Sequence, residues 1–471
     1  MEKILETTNK KNLFLLLFFF SPIFYNYFFN LLPRETRFIS LTNTDFINIF
    51  ISFLLFLYLF FVGKQIQIAF GLNSISFSIA IYVFSFFIID NHLLFLAKEV
   101  SFKTLFLFIN LLWFIFLITN KKVEKKAFLL FVLLSLLTRE FVVENLISTY
   151  ELQTTYFTVP DEDKVWLPVT TKIFESNYHF ALLNFPGHSG YGLLISHISS
   201  LFTLICTSVK SFVFFPFIKN VFYFLTMLFI YEYKSSTFSK AILSIVLLVV
   251  TLNSHWFRYL LFNSLMLESA VSYYFAVLFY SSEESNNKKE KNLSIFLLGV
   301  LFFSKQFIAL IAIFYIVYLF LIRRITVFTL GLGISGVFIS FINYIFLNID
   351  ITWSNYFDNY GSAIELERTI NYSNFFNVIN QFLIDRPLSV FLFVLTILFF
   401  VNLNKNFMKF KNASLIFLFN TVLVFVLYIF IWTNVQIDSS YRYIINCFHL
   451  LLPIYLVTID NFLSHKTKSK N

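Results

Sequence analysis

A chain of 471 residues that is 58% hydrophobic, with a mean hydropathy of +0.77 and 71 Phe, carries more apolar surface than a soluble fold can hide. Only 13% of its residues are charged, and the formal net charge of +9 comes from short Lys and Arg bursts between apolar runs. That is how topology-setting charges are distributed, so no nucleic-acid partner is expected and an all-α polytopic membrane protein is.

The abundance of Phe alongside Ile, Asn and Lys reads as a nucleotide-composition bias and carries no mechanism. Cys206 and Cys447 stand in apolar contexts without ligand-like spacing, so neither a disulfide framework nor a thiolate metal site is indicated. The seven His residues form no HxxH or HExxH pattern.

In chain order, the apolar run Leu13–Leu32 follows Lys10-Lys11 and ends in Pro33-Arg34-Glu35 with no small-residue cleavage site. It therefore reads as a retained first helix. A helix needs roughly 20 apolar residues to cross the hydrocarbon core. On that ruler the next spans fall near 45–62, 68–90, 102–119 and 127–147. Lys121, Lys122, Lys125 and Lys126 make the loop before the fifth span cytoplasmic, and counting forward leaves Asp161-Glu162-Asp163 outside.

Beyond Tyr191, the charge rule places 192–208 along the outer surface, with 211–232, 241–257 and 259–280 crossing. The run from Leu293 to Ile322 is too long for one span and splits near Ser304-Lys305-Gln306, leaving Arg323-Arg324 inside. An alternative with 192–208 spanning and 293–322 as one tilted helix has equal parity, but it puts Lys288–Lys291 outside. Further spans near 325–347, 388–403, 413–432 and 441–460 bring the expected total to about fourteen. Residues 1–120 read as an additional N-terminal membrane module of four helices, and 121–465 as a core with external loops at 150–190 and 348–387.

The polar interval from Tyr156 to Tyr191 interrupts this pattern with Val159-Pro160-Asp161-Glu162-Asp163-Lys164-Val165-Trp166 and then Phe185-Pro186-Gly187-His188-Ser189-Gly190. Carboxylates placed where a chain leaves a bilayer invite a chemical reading, although charge runs also simply keep loops in water. Ionisable groups at the lip of membrane helices are costly, and four positions carry them: Arg258, Glu268, Lys305 and Arg442, the last beside Tyr443. Arg258 can snorkel to headgroups and Lys305 can serve as an interfacial anchor. Glu268 is too short to snorkel far, and an Arg442 guanidinium at the outer edge presents a planar fork to phosphate oxygens.

The ordered set of Pro160-Asp161-Glu162, Pro186-Gly187-His188, Arg258 with Met266-Leu267-Glu268, Gly299 to Lys305, and Arg442-Tyr443 before Pro453 resembles the GT-C glycosyltransferases that use polyprenyl-phosphate-linked sugars. That class includes protein O-mannosyltransferases and lipid A aminoarabinose transferase. The likeness covers about 127–460, and its weight lies in order and spacing. Four helices precede the one that opens the class pattern, Glu stands at 268 where Asp is common, and Pro186-Gly187-His188 replaces a His-Pro-Pro type.

The resemblance implies a GT-C-like helical bundle and transfer of a sugar from a polyprenyl-phosphate donor, outside a bacterial inner membrane, to a lipid, glycan or protein acceptor. It implies Asp161 as general base and Glu162 as a partner orienting acceptor or sugar. Glu268 would contact the sugar, Lys305 and Arg442 the lipid phosphate with help from Tyr443, and Arg258 and His188 would complete the substrate-binding set. No cofactor is required with certainty; a divalent cation on Asp161, Glu162 and Glu268 is left open. Two rivals stand beside it. An O-antigen polymerase or ligase would rest on the 348–387 loop with Arg368 and Arg386, and a lipid-linked glycan flippase would use helices broken at Gly331, Gly333 and Gly336.

Overall fold

The structure, a computed structural model, describes residues 43–93, 100–120, 122–123, 125–126, 129, 132–133, 167–176, 194–206, 218–253, 267–304, 306–346, 403–430 and 445–468. The expected spans near 13–32, 127–147 and 388–403 lie wholly or almost wholly outside these residues. Among the described residues every regular element is helical. Among the described residues three stretches are long and apolar enough to cross a membrane: Ser52–Phe70, Ile75–His92 and Phe102–Thr119. The pattern is that of an all-helical membrane protein.

The chain divides into two compact units. The first comprises Phe46–Phe222 and Asn263–Ser362, and the second Met1–Asp45, Tyr223–Phe262 and Ala363–Asn471.

The first unit opens with α1 (Asn43–Phe70), α2 (Ile75–Leu93) and α3 (Phe102–Thr119). Helix α1 runs past the expected stop at residue 62, because Lys64 and Gln67 bond each other on its surface (2.9 Å) and both are good helix formers. The turn falls at Gly71–Ser74 instead, where Leu72 N–H donates to the Gln67 carbonyl (3.0 Å) and the Ser74 hydroxyl caps α2 by accepting from Phe77 N–H (3.1 Å).

Inside this apolar bundle, Tyr82 and Tyr58 both donate to Asn110 Oδ1, at 2.7 and 3.2 Å, and Trp113 Nε1 donates to Ser85 Oγ at 2.9 Å. Polar side chains satisfied against one another join helices that have no hydrophobic drive to associate within lipid. The opposite face of α3 is apolar and uncovered, with Leu107 64% and Leu111 54% exposed, the surface acyl chains would cover.

Two shorter helices follow, α4 (Leu167–Glu175) and α5 (Leu194–Cys206). After α6 (Ile218–Glu232) and α7 (Thr237–Asn253), the first unit resumes with α8 (Leu267–Glu284), α9 (Lys288–Leu301), a 3-10 turn at Phe302–Ser304, α10 (Gln306–Leu321) and α11 (Val327–Phe346). The run from 293 to 322 is thus divided beside Ser304-Lys305-Gln306, as its length predicts. Helix α2 packs against α5, α8 and α11, so the N-terminal helices share this unit with the later ones.

Helices α9 and α11 are in backbone contact. A Cβ on Gly299 would collide with the Gly333 carbonyl, one on Gly336 would collide with the Phe296 carbonyl, and Ser340 Oγ donates to the Val300 carbonyl across the seam (3.0 Å). Small residues here permit close helix approach. Helix α11 runs unbroken through Gly331, Gly333 and Gly336, so these glycines make no transporter-type break.

In the second unit, α7 and α12 (Leu403–Phe430) pack against α13 (Leu451–Lys468), which follows a 3-10 turn at Ile445–Leu450. The expected span 441–460 is displaced toward the C-terminus because Pro453 fits the first helical turn, where its missing N–H costs nothing. Ser236 caps α7 through Ser239 N–H (3.1 Å), and the Asp460 carboxylate accepts from the Ser236 N–H (3.0 Å) and from both serine hydroxyls. Deeper in this unit, Thr226 Oγ1 and His449 Nε2 share a buried hydrogen bond of 2.8 Å.

Candidate functional site

Side-chain contacts gather several loops at one end of the first unit. Asn73 donates to Glu290 Oε2 through its N–H (3.2 Å) and its side-chain amide (3.0 Å), and Asn120 Nδ2 reaches the Ala69 carbonyl at 3.5 Å. Lys291 Nζ donates to the Arg324 carbonyl (2.9 Å), while Arg324 donates to Glu283 Oε2 (2.8 Å) and Tyr315 to Glu283 Oε1 (2.8 Å). Burial raises the Glu290 carboxyl above the ordinary range, partly offset by the Asn73 N–H and Ser285. Lys122, Lys288, Lys289, Arg323 and Arg324 are exposed here, so this is a basic end.

Antiparallel threading carries the other ends of the same helices away from it. That second end holds the C-terminal turn of α2, the start of α3, helices α4 and α5, the start of α8 and the 3-10 turn before α10. Helix α5 is its hub: all thirteen residues are buried, and it packs against α4, α2, α8 and the 3-10 turn. At 13 residues it is shorter than the roughly 20 a crossing requires.

The chemistry on α5 is a buried carboxylate–imidazole pair. His197 Nε2 lies 2.8 Å from Asp90 Oδ2 on the last turn of α2, with side-chain exposures of 0% and 6%. The Phe87 and Phe102 rings meet the imidazole edge-on at 5.5 and 5.0 Å, fixing its plane. Helix α4 is tied on beside it: Ser200 Oγ donates to the Thr170 carbonyl (2.7 Å), Phe102 N–H donates to the Ser176 carbonyl (2.8 Å), and Lys103 Nζ sits 5.4 Å from the Phe174 ring centroid.

Sequence reasoning missed Asp90 and His197. The available signal was an Asp closing one apolar run and a His inside another, each an ionisable group in membrane-like sequence.

Of the expected site residues, Asp161, Glu162, His188, Arg258, Lys305, Arg442 and Tyr443 lie outside the described residues. Glu268 is the second residue of α8. Three neighbouring elements are described: α4 opens at Leu167, just after Asp161-Glu162-Asp163, α8 begins at Leu267, and the 3-10 turn ends at Ser304, immediately before Lys305. All three touch α5. Among the described residues no group of three or more His, Cys, Asp and Glu could hold a metal ion. In comparisons with protein-family models, curated proteins and solved structures, this chain matches none.

Proposed function

We propose that this protein is a membrane glycosyltransferase of the GT-C kind, with about fourteen membrane segments. It transfers a sugar from a polyprenyl-phosphate donor to an acceptor on the extracytoplasmic side of a bacterial inner membrane. The observation that carries the reading is the convergence on α5 of the elements adjoining the acidic loop, Glu268 and Lys305. The basic turns at the far end of the same unit add support, since Lys and Arg favour the cytoplasmic side.

In the proposed step, Asp161 takes the proton from an acceptor hydroxyl or amine while Glu162 orients the reacting groups. The acceptor heteroatom forms a bond to the sugar's anomeric carbon. The bond from that carbon to the phosphate oxygen breaks, and polyprenyl phosphate leaves with the electron pair. Lys305 and Arg442, with Tyr443, stabilise the charge left on the phosphate. Glu268 holds the sugar, and Arg258 and His188 complete the binding surface. Incubating purified protein with a panel of polyprenyl-phosphate sugars and membrane acceptors tests this reading. Consumption of one donor, abolished by Asp161→Asn, is expected; no consumption of any donor would overturn it.

A further inference from the structure

Asp90 and His197 are buried on and against α5 and take no part in the proposed step. A buried carboxylate–imidazole hydrogen bond is a weak net stabiliser, because it replaces bonds to water, and apolar residues of the same shape do about as well. What such a pair supplies is direction: a carboxylate and an imidazole meet in one geometry, whereas apolar side chains slide. Here the direction is well defined. The imidazole is held by Asp90 and Phe87 from α2 and by Phe102 from α3, so one side chain keys α5 to both helices.

Helix α5 in turn carries α4. Ser200 meets Thr170 across their contact, and Ser196, Ser199 and Thr203 are buried on the same helix as Ser200. Thr170 Oγ1 and Ser199 Oγ have no hydrogen-bond partner. The Ser200-to-Thr170 bond tethers α4 at one point without fixing its angle on α5, so that orientation follows from where α5 is keyed. Phe102, which touches the His197 ring, also donates its N–H to Ser176 just past the end of α4. The acidic residues Asp161-Glu162-Asp163 stand only a few positions upstream of Leu167.

We infer that Asp90 and His197 are a positioning pair: the bond between them sets the seating of α5 and, through it, of α4, the helix that follows Asp161-Glu162-Asp163 in the chain. The effect on rate rests on the sugar-transfer reading; the effect on α4 does not. The test compares Asp90→Leu, His197→Leu and the double variant in the full-length protein, reading thermal stability, amide exchange across 167–176 and transfer kinetics. Each single variant takes away the hydrogen-bond partner of a buried polar group and loses stability. The double variant removes both polar groups, so it recovers native-like stability. It should nevertheless exchange its 167–176 amides about tenfold faster and lose about 10²-fold in kcat, with KM little changed. Recovery of native exchange and turnover along with stability would overturn the inference, as would unchanged 167–176 exchange in all three variants. If the native protein consumes no donor, the sugar-transfer reading fails, while the exchange measurement still decides whether the pair seats α4.

Discussion

Substituting Gly336 by Ala puts the close approach of α9 and α11 under direct load. The added methyl meets the Phe296 carbonyl and the Val300 and Gly299 backbone, none of which can rotate away as a side chain would. Restoring ordinary carbon–oxygen separation requires the helices to part by ~1 Å. Overpacking of that kind costs about 1–3 kcal/mol, and weakening the Ser340-to-Val300 hydrogen bond adds ~1 kcal/mol. Replacing Gly by Ala within a helix returns roughly 0.5–1 kcal/mol. The net expectation is a loss of about 1–3 kcal/mol, a fall of a few degrees in detergent thermal unfolding. Gly331→Ala is the internal control: it lies on the same helix with no atom within 4 Å of the new methyl, so it keeps only the propensity gain. Equal unfolding temperatures for the two variants would refute the seam.

Arg323 closes α10 at φ 58°, with Arg324 N–H donating to the Leu319 carbonyl and Arg323 N–H to the Phe320 carbonyl, a left-handed cap that favours Gly. Arg323→Gly should therefore raise stability by about 1 kcal/mol in the same assay; a loss would contradict the cap. Glu290 has its pKa raised in the folded state, so its contribution to stability is present at low pH and is lost as pH climbs through the raised value. As pH rises above the ordinary glutamate value, native protein should lose unfolding temperature relative to Glu290→Gln, and parallel curves would show that burial does not perturb this carboxyl. Tyr82→Phe removes the shorter of the two hydrogen bonds to Asn110 and should cost about 1–2 kcal/mol; an unchanged unfolding temperature would show that the cluster does not join the helices.

The features legible in the sequence were those set by length and charge. A 30-residue apolar run is long for a single crossing, so a break near Ser304-Lys305-Gln306 could be read from it, and the 3-10 turn at Phe302–Ser304 falls beside that point. Helix ends were less legible: polarity at Gly63-Lys64-Gln65 imitates a loop, but the residues that stop a helix are the turn formers at Gly71–Ser74. Gly333 and Gly336 illustrate a deeper ambiguity, because one residue type marks both broken helices and tight seams, and only the neighbouring helix decides between them. Asp90 and His197 were illegible as a pair, since 107 residues separate them and neither sits in a motif.

Whether the acidic loop supplies the base for sugar transfer is tested most directly by release of polyprenyl phosphate from a consumed donor, followed for the native chain, Asp161→Asn and the pair Arg368→Ala and Arg386→Ala. A fall of at least about 10²-fold for the Asn variant, with near-native release from both Arg variants, is the predicted result. Native release from Asp161→Asn, or collapse only on loss of the arginines, would contradict it.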